Sequence, residues 1–226
     1  MYLPDTDAHY SQRVRYGRYL SRRLRFSKMD SLADDIDDVT GQVKQTGRDI
    51  EDALEPIQNF MADRDAFDAT LDFAAQSARH DLAGRTLDAV KNEPYKSIFT
   101  KGIGYYIASP LGQQNARYQE FVSRLEANLA SGDAVRVVTV KAVMEGLEGY
   151  NTAVKALDAA RANQSMLSTK LTAAVEAWNR QVEKTYGALV SEVGRTRAEL
   201  FFPKASARRA RKTEAPEEDF DMDPTA

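Results

Sequence analysis

Beginning at Leu32, apolar side chains recur at alternating steps of four and three. The series runs Leu32, Ile36, Val39, Val43, Thr46, Ile50, Ala53, Ile57, Phe60, Arg64, Phe67, Leu71, Ala74, Ala78, and only Arg64 is neither apolar nor threonine. A seven-residue repeat held over about six heptads is a coiled-coil seam rather than the wider stripe of an ordinary surface helix. It predicts a long helix over residues 29–92. Pro56 lies inside the run, removes one backbone donor and crowds the preceding turn, so a kink is expected near Leu54.

A second seam occupies the C-terminal third. Val143, Leu147, Tyr150, Val154 and Leu157 keep the alternation, and after a polar gap at Arg161 to Gln164 it resumes at Leu171 and Val175. It continues through Trp178, Val182, Thr185, Leu189, Val193, Thr196 and Leu200 to Pro203. Asp133 suits the N-cap of this helix, read as residues 133–202. At about 1.5 Å per residue the two runs would measure roughly 96 Å and roughly 103 Å. Two seams of similar length on one chain pair most simply as an antiparallel hairpin, each hiding the other from water. The expected fold is all-α: a long antiparallel helical hairpin or coiled coil, with a short helical insertion at residues 93–132 and flexible charged termini. A shorter four-helix bundle, broken at Pro56 and near Asn163, is the alternative.

Residues 93–132 include a helix expected from Ser109 as N-cap and Pro110 as first residue to about Ala130. Ahead of it, "PYKSIFTKGIGYYIASPL" is the most apolar stretch of the chain. Tyr95, Ile98, Phe99, Ile103, Tyr106 and Ile107 recur there at helical spacing. Exposed at the end of a hairpin, they would form an apolar tip for docking or membrane entry. Folded back, they would plug the end of their own bundle.

The N-terminal residues 1–28 form a basic, aromatic arm. Its segment "RVRYGRYLSRRLRF" places Arg15, Arg18, Arg22 and Arg25 in one helical stripe, with Tyr10, Val14, Tyr16, Leu20 and Leu24 on the other side and Arg13 and Arg23 at the borders. Arg13, Arg15, Arg18, Arg22, Arg23 and Arg25, with Tyr16 and Tyr19, are the candidate partner-binding residues. Guanidinium groups pair bidentately with phosphate, and tyrosine suits a lipid headgroup boundary or a stacked base. The same stripe would also satisfy Asp34, Asp35, Asp37 and Asp38 of a neighbouring copy. At the other end, residues 203–226 carry a basic block and then an acidic one without apolar periodicity, a composition expected to be disordered in isolation.

The chemistry of enzymes is not evident. The chain has no cysteine, which removes disulfides, thiolate zinc sites and cysteine nucleophiles together. His9 and His80 lack a glutamate three residues before them, so the paired motifs of a di-iron bundle are missing. Asp65, Asp68 and Asp72 share a helix face, the ordinary place for solubilising carboxylates. The glycines of "KGIG" follow no strand and make no phosphate loop. No catalytic residue, cofactor, metal or small-molecule substrate is expected.

The N-terminus lacks the apolar core of a secretory signal, and no window approaches the roughly 18 apolar residues of a spanning helix. A cytoplasmic protein, or one held within a large assembly, is expected. No family motif stands out. These features suggest a non-enzymatic coiled-coil protein that forms homo-oligomers and meets protein partners through charged arms, as a component of a virion or other large assembly. The alternatives are a peripheral protein on an anionic membrane, through the arm and the 94–111 tip, and a nucleic-acid-associated protein. The net charge of −3 weighs against the last.

Overall fold

The structure, a computed structural model, describes residue 1, residues 3–5 and residues 7–203. The described residues are 83 % helical and include no strand, so the fold is all-α, with helices packed on one another. The tail expected at 203–226 lies, beyond Pro203, outside the described residues. In order come α1 (Tyr10–Phe26), α2 (Asp30–Asp52), α3 (Leu54–Ala83), the short α4 (Tyr95–Ile98) and α5 (Gly104–Ile107), α6 (Gln114–Asn128), α7 (Ala134–Val193) and the short α8 (Arg195–Ala198). The chain divides into two compact units: residues 1–41 with 178 onward, and residues 42–177.

The first heptad run is two helices, not one to residue 92. The interruption falls at Ala53, and Pro56 follows as the third residue of α3. A proline there has no N–H to return to Asp52, but within the first turn of a helix that donor would be unpaired anyway. α3 then stops at Ala83, where the Gly84 N–H closes the last turn on the His80 carbonyl at 2.9 Å. The expected N-terminus at Ser109 is also displaced. Residues 111–113 make a 3-10 turn and α6 begins at Gln114. α7 runs unbroken through the polar gap at 161–164, and Ala160, Gln164 and Leu167 are half-buried, carrying the four-and-three spacing across it.

α7 ends nine residues short of 202. Gly194 has φ 79 and ψ 158, a backbone region essentially restricted to glycine. The chain turns there, and Thr196 and Leu200, expected on the seam, are exposed. At the other end Asp133 caps α7, its carboxylate accepting from the Val135 N–H at 3.0 Å and from Arg85 at 2.6 Å.

In the unit of residues 42–177, α3, α6 and α7 close around one apolar cluster. Leu71, Ala74, Ala78 and Leu82 meet Tyr118, Phe121 and Leu125 of α6 and Val143, Leu147 and Tyr150 of α7. α3 and α7 approach closely at two glycines. A Cβ at Gly149 would strike the Phe67 ring, and one at Gly146 would lie 2.9 Å from Leu71 Cδ2. Glycine at these points lets aromatic and leucine side chains fill the space that a methyl group would take.

The other unit is built on α1, the start of α2 and the end of α7. Val14, Tyr16, Leu20, Leu24, Ala33, Ile36, Trp178, Val182 and Leu189 are buried there. Tyr16 meets Trp178 edge to face with ring centres 5.4 Å apart, and Phe202 stacks near both Tyr16 and Tyr186.

Candidate functional site

α1 has two sharply different faces. Arg13, Val14, Tyr16, Gly17, Leu20, Ser21 and Leu24 are buried. Gln12, Arg15, Arg18, Tyr19, Arg22, Arg23, Arg25 and Phe26 are exposed. With 3.6 residues per turn, Arg15, Tyr19, Arg22 and Phe26 follow one line down the exposed face, with Arg18 beside it.

Four of the eight arm residues singled out by sequence serve the protein's own structure. Arg13, expected at a border of the basic stripe, is in the middle of the buried face at 1 % exposure. It donates to the carbonyls of Ala8 and Asp5, both at 2.7 Å, and so ties the N-terminal turn to α1. Burial lowers its affinity for the proton, and Asp7 partly offsets this. Tyr16, expected to face a partner, is packed on Trp178, and burial pushes its hydroxyl above the usual tyrosine range. Arg25 reaches Asp34 and Asp37 of its own chain, each at 2.7 Å. These hydrogen bonds, Asp37 first, hold its pKa up. Arg23 donates to the Leu200 carbonyl at 3.4 Å.

Arg15, Arg18 and Arg22 are what remains. All three are exposed and make no hydrogen bond or ion pair with any described residue. Tyr19 at 46 % and Phe26 at 87 % exposure lie among them. Of the acids expected to pair with this stripe, Asp34 and Asp37 are met by Arg25 of their own chain.

The apolar 94–111 stretch is not an exposed tip. Ile98, Phe99 and Tyr106 are buried in the core of the 42–177 unit, and Tyr95, Ile103 and Ile107 pack against it. Phe99, Tyr106 and Phe121 stack with centres 4.8 to 6.2 Å apart, and the Tyr106 hydroxyl donates to the Ile98 carbonyl at 3.1 Å. The helical spacing in the sequence came from inward-facing side chains. Periodicity reports which side is apolar, and an apolar side covered by its own domain is energetically better than one left in water.

One polar cluster has no distinctive motif in the sequence. Asp68 and Asp72, expected to be solubilising carboxylates, are half-buried against α6. Buried Gln114 donates to Asp68, and the Tyr118 hydroxyl donates to Asp72 at 2.7 Å. Asn115 donates to Asn151 of α7 at 3.1 Å. Both carboxyls are held above their ordinary range: Asp68 by burial and by Asp72 and Asp65, Asp72 by burial against the opposing Tyr118 hydrogen bond. The signal was available as Gln114 and Tyr118, polar-tipped residues four apart at a helix start. They bind α6 to α3. Among the described residues no group of three His, Asp or Glu side chains is arranged to hold a metal ion, and no helix is long and apolar enough to cross a membrane.

No family model, curated protein or solved structure matches the chain.

Proposed function

We propose that this chain is a non-enzymatic coiled-coil structural protein that self-associates, with the exposed face of α1 as its partner-contacting surface. The observation that carries the reading is the division of the arm. Arg13, Arg23 and Arg25 are consumed internally, whereas Arg15, Arg18 and Arg22 hold charge in water beside Tyr19 and Phe26. Arginine and aromatic side chains together are what protein interfaces enrich.

The coiled-coil reading is supported by the order of contacts. A step of four from Phe67 to Leu71 is answered by a step of three back from Gly149 to Gly146. In the other unit, Gln181 donates to Asp35 and Trp178 to Thr40, again with opposite directions along the chain. Both pairings are antiparallel. Self-association is supported by Val137, Val138 and Met144, exposed on one flank of α7. Sedimentation velocity of the full chain, across protein concentration and salt, is the test. Oligomers are expected, with charged contacts weakening once the screening length falls below about 8 Å. A monomer at every salt and concentration ends the proposal.

A second reading, binding to anionic lipid, is favoured by Phe26 standing exposed between Arg22 and the turn at Ser27. It rests on α1 alone, because the 94–111 side chains are spent in the core. Flotation with anionic vesicles, compared with neutral ones, decides it. Equal recovery from both removes the membrane.

A further inference from the structure

We propose that the acidic segment 214–223 of this same chain, "EAPEEDFDMD", docks on the exposed face of α1 and covers Arg15, Arg18 and Arg22. Three properties of the chain converge on this occupant. The first is charge. Glu217, Glu218, Asp219, Asp221 and Asp223 present carboxylates at short spacing, and the three arginines have no described partner. Guanidinium and carboxylate pair with matched, bidentate geometry.

The second is apolar matching. Phe220 and Met222 lie within the acidic run, and Tyr19 and Phe26 lie within the basic face. An acidic peptide of purely polar residues would leave those rings in water.

The third is where the chain goes. Its last described residues are held against α1: Arg23 grips the Leu200 carbonyl, and Phe202 is buried beside Tyr16. Only residues 204–213 separate Pro203 from the acidic segment. At about 3.3 to 3.6 Å per residue this connection reaches about 35 Å, and α1, 17 residues long, measures about 25 Å. Every turn of α1 is therefore within range. A tether this short gives the segment an effective concentration in the millimolar range. Its own chain's α1 then outcompetes another copy's at ordinary protein concentrations. The consequence is an interaction surface that a partner must uncover, and it holds whether or not the chain self-associates.

Trp178 is the single tryptophan and packs beneath α1 against Tyr16, so it reports on what lies over the helix. In the cysteine-free chain, Thr225→Cys carries an energy-transfer acceptor just beyond the acidic block. Transfer from Trp178 is expected to be high in low salt and to be lost at about 1 M, where the screening length is about 3 Å. It should fall to that same floor in the R15E/R18E/R22E chain. It should return when E217R, E218R and D219R are added to that chain, a rescue that misfolding cannot imitate. Mixing labelled protein with an excess of unlabelled Trp178→Phe protein, whose copies carry no donor, should leave the transfer per label unchanged. Loss of transfer on such mixing assigns the contact to a second copy and overturns the proposal. So does transfer indifferent to the arginine reversals, which would place the acidic run on the neighbouring Lys204–Lys212 block. The readout is separate from sedimentation, so either proposal can fail alone.

Discussion

The Trp178 indole N–H donates to Thr40 Oγ1 at 3.0 Å, with both residues buried. A tryptophan on the last third of a long helix is thereby tied to a threonine on the second helix. Replacing Thr40 by valine keeps the volume and removes the acceptor, leaving the indole donor buried and unpaired. A loss of about 1 to 3 kcal/mol is expected. Urea unfolding followed by Trp178 fluorescence measures it, and an unchanged midpoint would mean that water replaces the hydroxyl.

Gly17 meets the same threonine from the other side. A Cβ at position 17 would overlap Thr40 Oγ1 and crowd Cγ2. Gly17→Ala should destabilise by about 1 to 3 kcal/mol, since the gain in helix propensity, about 1 kcal/mol, is smaller than the strain of prising α1 from α2. Combined with Thr40→Ala, which removes the colliding atoms, the loss should be clearly less than additive. Additive losses in a double-mutant cycle would show that the two residues act separately.

Lys28 joins α1 to α2 with φ 61, the left-handed conformation, while the Met29 N–H closes on the Leu24 carbonyl at 3.0 Å. Its side chain is exposed. Lys28→Gly relieves the backbone without removing a buried contact, and a gain of about 0.5 to 1 kcal/mol is expected. Thermal unfolding of the full chain checks the sign.

The carboxyls of Asp68 and Asp72 bind protons more tightly in the folded protein than in the unfolded chain. Their contribution is therefore most favourable below the ordinary carboxylate pKa of about 4, and is lost as pH rises through the elevated values. Asp68→Asn keeps an oxygen for Gln114 and removes the charge. The variant should melt higher than the parent at neutral pH, with the difference shrinking as pH falls towards about 4. A difference independent of pH would show that the gain is not electrostatic.

An antiparallel pairing of α3 with α7, as proposed above, sets a register. Ile50 precedes Phe67 by 17 residues, and 17 residues beyond Gly149 is Ser165 plus one, Met166. At equal rise per residue, with the interruption at Ala53, cysteines at Ile50 and at about 164–169 should crosslink within one chain. Crosslinks only between chains would point to an exchanged or parallel pairing.

The two heptad runs carry the helical character of this protein in plain view. Apolar residues at four-and-three spacing can be buried together only on a helix, and the constraint is local. Of the positions in the first run, Ile36, Val43, Ala53, Leu71, Ala74 and Ala78 are buried and none is exposed. Pro56 marks a place where the backbone must break its pattern, although the exact break at Ala53 depends on how the adjoining turns share the missing donor, whereas the seam spacing continues through Gly194 and the turn there is set by the fold.

Which polar residues are spent, and where, was decided by tertiary packing. Arg13 and Arg15 are two residues apart in one basic segment, but α1 rotates so that Arg13 is sealed against the Ala8 and Asp5 carbonyls and Arg15 remains in water. Asp68 is a surface carboxylate until α6 lays Gln114 over it, and the 94–111 aromatics are a tip until α3, α6 and α7 enclose them. Helical periodicity is set by neighbours three and four residues away. The solvation of an arginine, an aspartate or a tyrosine depends instead on which distant segment displaces the water, and that is a property of the assembled fold.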